Sequence, residues 1–295
     1  MANLKDIRKR IKSVNNTSKV THAMELVAAA KMRKSQEKTL ASRPYTSTLH
    51  QMIVELKPET HKKLHPLLKT ASVGPQLIIL VTPDRGLVGG LNLNLMREAN
   101  KMLAENKGLP AGRQGAKFIT IGKKGLTFLS KINAEIIASF ESEDLSEIDL
   151  ARTITKIVTK SFIQKEVSTV WAIYPHFVSV VKQTPKISRI LPIRFSDEEK
   201  LPETQLVHAD PSMIYEPSPD KILESILPHH VLTEIYQILL ETKASEHSAR
   251  MVAMKNATDA ANDLVSDLTL TYNQARQEAI TTELLDIVTA QSAFN

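Results

Sequence analysis

The sequence contains no cysteine at any of its 295 positions. Disulfides, thiolate zinc sites and cysteine nucleophiles are thereby excluded, and the composition fits a reducing, cytosol-facing setting. Aromatic residues are scarce, at 4% against 42% hydrophobic overall. That balance suits Ala/Leu/Val-rich helix packing better than a large sheet core. No stretch reaches the roughly 18–20 apolar residues needed to span a bilayer. The start, Met1-Ala2-Asn3-Leu4-Lys5-Asp6, lacks the apolar core of a secretory signal. Any membrane link is therefore expected through a partner. Glycine is absent before Gly74 and again from Asp220 onward, so both ends are free of the residue that most weakens helices after proline.

What is present is charge of opposite sign at the two ends. Residues 1–43 hold eleven Lys/Arg against Asp6, Glu25 and Glu37, an excess of +8. Residues 244–295 hold three basic residues against seven acidic ones, an excess of −4. The net +6 of the whole chain is thus a property of one arm, since the other 252 residues sum to −2.

Residues 3–43 predict a helix. Leu4, Ile7, Ile11 and Val14 recur at 3/4 spacing, followed by Val20, Met24, Val27 and Ala28 after a slip in register. Asn3 is the expected N-cap, and Asp6 suits the positive end of the helix dipole. Pro44 is expected to kink or end this helix, with Tyr45 to Leu56 resuming it. Residues 57–75 read as a connection. At the other end, about 65 residues from 230 at ~1.5 Å each give a helix on the order of 95 Å, too long to bury in a domain of this size. Its small-residue seam runs Ala249, Ala253, Ala257, Ala261, then Leu264 and Leu268, and Ala23, Ala28, Ala29 and Ala30 offer a match. An antiparallel coiled coil of the two ends follows, with charges that set pairing more than stability.

Between the ends, strand and helix alternate. The apolar run Leu77–Val81 reads as a strand buried on both faces. Helical 92–106, strand 118–121, helical 123–131, strand 134–138, helical 146–165, strand 167–181 and strand 187–195 complete an α/β domain. Residues 107–115 read as an exposed loop. The fold class is therefore α/β, a long antiparallel coiled coil of terminal helices plus a central Rossmann-like domain. Its divisions are an N-terminal helix over 1–57, the α/β domain over 75–195, a proline-rich linker over 196–219 and a C-terminal helix over 220–295.

Catalytic chemistry is nearly silent. Gly86-Leu87-Val88-Gly89-Gly90 follows a strand and precedes a helix, where backbone amides hold phosphates. It matches neither G-x-G-x-x-G nor G-x-x-x-x-G-K-[ST], and a tight strand–helix turn accounts for it better. His61 with His65, and His229 with His230, lack the company a metal site requires. Glu198-Glu199 falls in the linker, and no nucleophile elbow appears. The sequence implies no catalytic residue, cofactor or metal. The basic arm admits three readings: a solvated coil face, an interface with acidic protein loops, or nucleic-acid binding, the last without base-stacking aromatics before Tyr45. Near the C-terminus, Ile280, Leu284, Leu285, Ile287 and Val288 spread over more than one stripe. Such a segment is buried by other chains or is a frayed, aggregation-prone tail.

Several motifs match a known family. Asp6-Ile7-Arg8-Lys9-Arg10-Ile11, the run Ala23 to Met32, Ala41-Ser42-Arg43-Pro44-Tyr45, Asp84-Arg85-Gly86-Leu87 and Gly89-Gly90-Leu91-Asn92 are among them. Ser245-Glu246, the run Ala249 to Lys255, and Ile280-Thr281-Thr282-Glu283 with Asp286 extend the match to nearly the whole chain. Together they resemble the gamma subunit of rotary ATP synthases, of bacterial type given the missing transit peptide.

The resemblance implies a non-catalytic central rotor shaft that couples proton-driven c-ring rotation to ATP synthesis or hydrolysis. The partners implied are the alpha and beta subunits of the catalytic ring, the epsilon subunit and the membrane c-ring. The implied location is peripheral, on the cytoplasmic face of the bacterial plasma membrane. Arg276, Gln277, Thr281 and Glu283 match the region that engages beta-subunit loops, and Met24 and Arg250 match positions near the beta lever region. Tyr215-Glu216 matches the segment facing the c-ring. Ile280 and Leu284 belong to a tail, Ile280–Phe294, that matches the part held in an apolar sleeve. Two departures stand out: Ala290-Gln291 replaces the signature's Gly-Ala, and the loop 107–116 is longer than usual. The rivals are a basic coiled-coil nucleic-acid-binding protein and a small α/β enzyme using the turn at Gly86–Gly90.

Overall fold

A computed structural model describes residues 4–56, 65–69, 74–105, 115–142, 146–193 and 216–293. Helix α1 spans Leu4–Leu56 and helix α5 spans Pro219–Ala293. Between them lie β1 (Gln76–Val81), α2 (Leu91–Glu105), β2 (Ala116–Ile121), α3 (Lys123–Lys131), β3 (Glu135–Phe140), α4 (Glu147–Ile163), β4 (Thr169–Phe177) and β5 (Gln183–Leu191). Contacts divide the chain into two compact units, residues 31–249 and the pair 1–30 with 250–295.

In the larger unit the sheet order is β3-β2-β1-β4-β5, with every neighbour parallel except the β4–β5 pair. The apolar run of β1 is explained by its central place: alternate residues face opposite layers. Leu77, Ile79 and Val81 join a core with Leu150, Ile154 and Val158 of α4, Leu49 and Ile53 of α1, and Leu227, Val231 and Ile235 of α5. Ile78 and Leu80 join Leu91, Leu95 and Leu103 of α2 and Leu129 of α3 on the other face. The sheet is thus the middle of three layers, and the ends of α1 and α5 within this unit are part of its core. A 3-10 turn at Pro66–Leu68 is capped by His65, whose Nδ1 accepts from the Leu67 amide. Burial holds that imidazole below its usual range, against the opposing pull of Glu224.

Three expectations are corrected here. Pro44 lies inside α1 rather than ending it. The carbonyl it deprives of an amide belongs to Leu40, and both residues are exposed, so water can serve that acceptor. The strand expected to run to Val181 stops at Phe177, and the next begins at Gln183. Ser179 and Lys182 exchange backbone bonds across a two-residue turn at Val180-Val181; with no Gly, Asn or Asp there, the turn gave no sequence signal. Finally, Pro66–Leu68 is ordered against the core, with Leu67 fully buried, although residues 57–75 read as a plain connection. The Asn3 cap, His61, Glu198-Glu199, Tyr215, Phe294 and most of the 107–116 and 196–219 segments lie outside the described residues.

Candidate partner-binding surfaces

The smaller unit is an antiparallel helix pair, and its seam differs from the apolar pattern. Shielded positions on α1 run Leu4, Ile7, Ile11, Val14, Ser18, Thr21, Glu25 and Ala28, an unbroken 3/4 heptad. No slip in register occurs. On α5 the matching run is Met251, Met254, Thr258, Ala261, Val265, Leu268, Tyr272 and Ala275. Ser18 Oγ donates to Asn262 Oδ1 at 2.7 Å, and the Thr21 and Thr258 hydroxyls share a bond of 2.7 Å. Numbers rise on one helix as they fall on the other, which fixes the antiparallel register. The seam therefore keeps its period by accepting small polar residues, each hydrogen-bonded to a partner or to its own helix.

The consequence lies on the outside. Val20, Met24 and Val27, expected to carry the seam, are exposed and share a stripe at 3/4 spacing. Ala23 and Ala30 are exposed too, while Ala28 is buried. Leu264 and Leu270 of α5 are likewise exposed. Around them stand Arg8, Lys9, Arg10, Lys12, Lys19 and Lys31, all exposed. The cross-helix bonds at Ser18 and Thr21 are between neutral groups, and these lysines and arginines stand outside the seam.

In the same register Leu4 stands level with Arg276. From Arg276 to Gln291 every residue of α5 is exposed. Ile280, Leu284, Leu285, Ile287 and Val288 lie between 48 and 60% exposed, a near-uniform exposure that follows from having no second helix alongside. Arg276, Gln277, Thr281 and Glu283 fall in this stretch; Thr281 Oγ1 donates back to the Gln277 carbonyl at 2.9 Å. Met24 and Arg250 fall lower on the pair, Met24 exposed and Arg250 half-buried. Glu216 is exposed, away from the rest in sequence, beside Tyr215 outside the described residues.

A carboxylate just ahead of the glycine-rich turn ties three elements together. Asp84 Oδ1 accepts from the Lys123 amide at 3.0 Å and Oδ2 from the Ser142 amide at 2.9 Å. One carboxylate thus ties the end of β1 to the start of α3 and the end of β3. The Leu91 amide at the start of α2 is used by the Val88 carbonyl, and Leu87 and Gly89 adopt φ of 61° and 57°. These bonds and dihedrals are those of a tight connecting turn between β1 and α2. His229 Nε2 pairs with the Tyr45 hydroxyl, and among the described residues no cluster of His, Asp or Glu has the form of a metal site. No described helix is long and apolar enough to cross a membrane.

Comparison with known proteins agrees with a surface built for partners. The ATP synthase family model matches residues 3–294. The chain is 40% identical to the ATP synthase gamma chain of Opitutus terrae, covering 99% of both sequences. It is 42% identical to that of Akkermansia muciniphila, covering all of both. Among solved structures it is similar in fold to a chain of the Euglena gracilis mitochondrial ATP synthase OSCP/F1/c-ring assembly, at TM-score 0.68 and 18% identity, covering 99% of this chain and 94% of that one. A chain of the Euglena rotor gives TM-score 0.67 at 18% identity, covering 94% and 98%. With a family match over nearly the full length and relatives at about 40% identity, the chain belongs to the ATP synthase gamma chain family.

Proposed function

We propose that this chain is the central rotor shaft of a proton-translocating ATP synthase and itself holds no catalytic residue. The observation that carries the reading is the stretch Arg276–Gln291, a helix that outruns its partner and leaves five large apolar side chains exposed. In water such a segment is a liability; inside a ring of other chains it is a bearing. The partners are the alpha and beta subunits around the helix pair, with epsilon and the membrane c-ring at the α/β unit. Membrane association is peripheral, through those partners, on the cytoplasmic face of a bacterial plasma membrane.

Ile280 and Leu284 are buried by the ring's apolar sleeve. Arg276, Gln277, Thr281 and Glu283 hydrogen-bond beta-subunit loops. Met24 and Arg250 meet the beta lever region, and the exposed lysines and arginines of α1 face acidic stator loops. Tyr215-Glu216 lies toward the c-ring, within the linker 196–219 that divides the α/β domain (75–195) from the C-terminal helix. Coupling is mechanical: the asymmetric pair makes different contacts with each state of the catalytic sites, and turning it shifts which state is favoured. The nucleic-acid alternative is not supported by the family membership.

The test is reconstitution. Purified alpha and beta subunits should hydrolyse ATP with rotation of a bead on this chain only when the chain is present. An equally active ring formed without it would overturn the reading.

A further inference from the structure

Within residues 31–249 a belt of polar side chains crosses the otherwise apolar contact between the sheet and the two terminal helices. Glu147, the first residue of α4, receives Lys243 Nζ of α5 on Oε1 at 3.2 Å and Lys38 Nζ of α1 on Oε2 at 3.3 Å. One turn along α1, the Ser42 hydroxyl donates to Gln237 Oε1. Gln237 Nε2 then donates to Glu241 Oε1 at 3.3 Å, and Glu241 Oε2 meets His176 Nδ1 of β4 at 2.6 Å. On β5, Ser188 Oγ donates to Glu234 Oε1 at 3.3 Å. These bonds tie α1, α4, β4 and β5 to α5 between Glu234 and Lys243.

Apolar contacts hold the helices against the sheet but have little directional preference. A helix can turn about its axis against such a surface while exchanging one set of contacts for another. A carboxylate with each oxygen met by a lysine of a different helix opposes that exchange, because turning either helix draws an ammonium off its oxygen. Ion pairs this open to water contribute little stability. Their use here is geometric.

We propose that Glu147 is a positioning residue, a two-armed clamp that fixes the sheet's rotational register on α1 and α5 together. Torque applied to the α/β unit then reaches both helices at once instead of twisting one past the other. This rests on the rotor reading above.

The experiment uses the whole complex, with its alpha, beta, epsilon and membrane subunits in liposomes, carrying wild-type, Glu147→Gln, Lys243→Gln or Lys243→Arg chains. Protons pumped per ATP hydrolysed is read beside hydrolysis by the soluble complex. Both Gln variants should lower the pumping ratio at least two-fold while soluble hydrolysis stays within two-fold of wild type. Lys243→Arg, which keeps the charge and donors, should retain the wild-type ratio. An unchanged ratio in both Gln variants overturns the clamp, as does a Lys243→Arg ratio as low as that of Lys243→Gln. Should Glu147→Gln fail to assemble, the two Lys243 variants decide. A wild-type chain that supports neither hydrolysis nor pumping overturns the rotor reading itself.

Discussion

Replacing Gly122 by alanine tests the geometry at the end of the sheet. A Cβ there would lie 2.0 Å from the Thr82 carbonyl oxygen and 2.8 Å from both the carbonyl carbon and Oγ1. The closest blocking atom is the backbone carbonyl oxygen, so no rotamer change relieves the clash. The backbone φ of +93° is itself a conformation that alanine resists. Moving Thr82 away would strain its bond to the Ile121 carbonyl, at 2.8 Å, and moving Gly122 its bond to the Phe140 carbonyl, also 2.8 Å. Strain of about 1–3 kcal/mol at the dihedral adds to about 1–3 kcal/mol for a buried backbone group left unpaired. The expected loss is about 2–6 kcal/mol, a large share of the roughly 5–15 kcal/mol that holds a domain folded. Gly86→Ala is the control, since its Cβ would meet nothing within 4 Å. Gly89→Ala should cost about 1 kcal/mol through its φ of +57°, and it should leave no nucleotide-binding defect. Urea unfolding of the isolated chains gives the three values. A Gly122→Ala loss under 1 kcal/mol, or one matched by Gly86→Ala, would refute the argument.

The remaining predictions concern the surfaces and the seam. Ile280→Asp with Leu284→Asp should leave the melting of the isolated chain within about 0.5 kcal/mol, because both side chains are exposed in it. The same pair should weaken assembly with alpha and beta at least ten-fold in a binding titration, about 1.4 kcal/mol; unchanged assembly would mean the tail is not the buried pivot. The Glu147 carboxyl is held below the usual range: burial works to raise it, but its backbone bond and the charges of Lys243 and Lys38 outweigh that. A depressed carboxylate stabilises the fold above its unfolded pKa of about 4.3 and loses that contribution as pH falls through the folded value. The stability gap between wild type and Glu147→Gln should therefore be full at pH 7 and close on acidification toward pH 3, and a gap that widens would contradict the ion pairs. Thr21→Val alone should cost about 0.5–1.5 kcal/mol by removing the cross-helix bond, the Thr258 hydroxyl keeping its bond to the Met254 carbonyl. Adding Thr258→Val should then cost less than it does alone, and strict additivity in the double-mutant cycle would show that the two hydroxyls do not interact.

The alternating elements of the α/β unit were legible because each carries its own period. Leu77–Val81 is apolar throughout since both faces of β1 are covered, and the helices bracket it with charged faces. The hairpin turn at Val180-Val181 was not legible, because its backbone shape rests on the strands it joins and on Ser248, which donates to the Val180 carbonyl at 2.6 Å. The coil seam was half legible. Leu4, Ile7, Ile11 and Val14 set a period that geometry then carries through Ser18 and Thr21, while the apolar Val20, Met24 and Val27 led the reading onto the wrong face. Hydrophobicity alone did not distinguish a seam within one chain from a stripe that other chains cover.

Two long helices of opposite charge and an apolar tip follow from local properties: no glycine, a 3/4 period, charge excess at each end; that the first runs on through Pro44 does not. Those properties act between residues a few positions apart, so one dimension suffices to see them. The register of the coil, the outward turn of the basic face and the tie from Glu147 to two helices more than two hundred residues apart depend on which surfaces meet in space. The register is settled where the two helices of the pair meet and the Glu147 tie where the layers of the α/β unit pack, and only the tertiary structure records either.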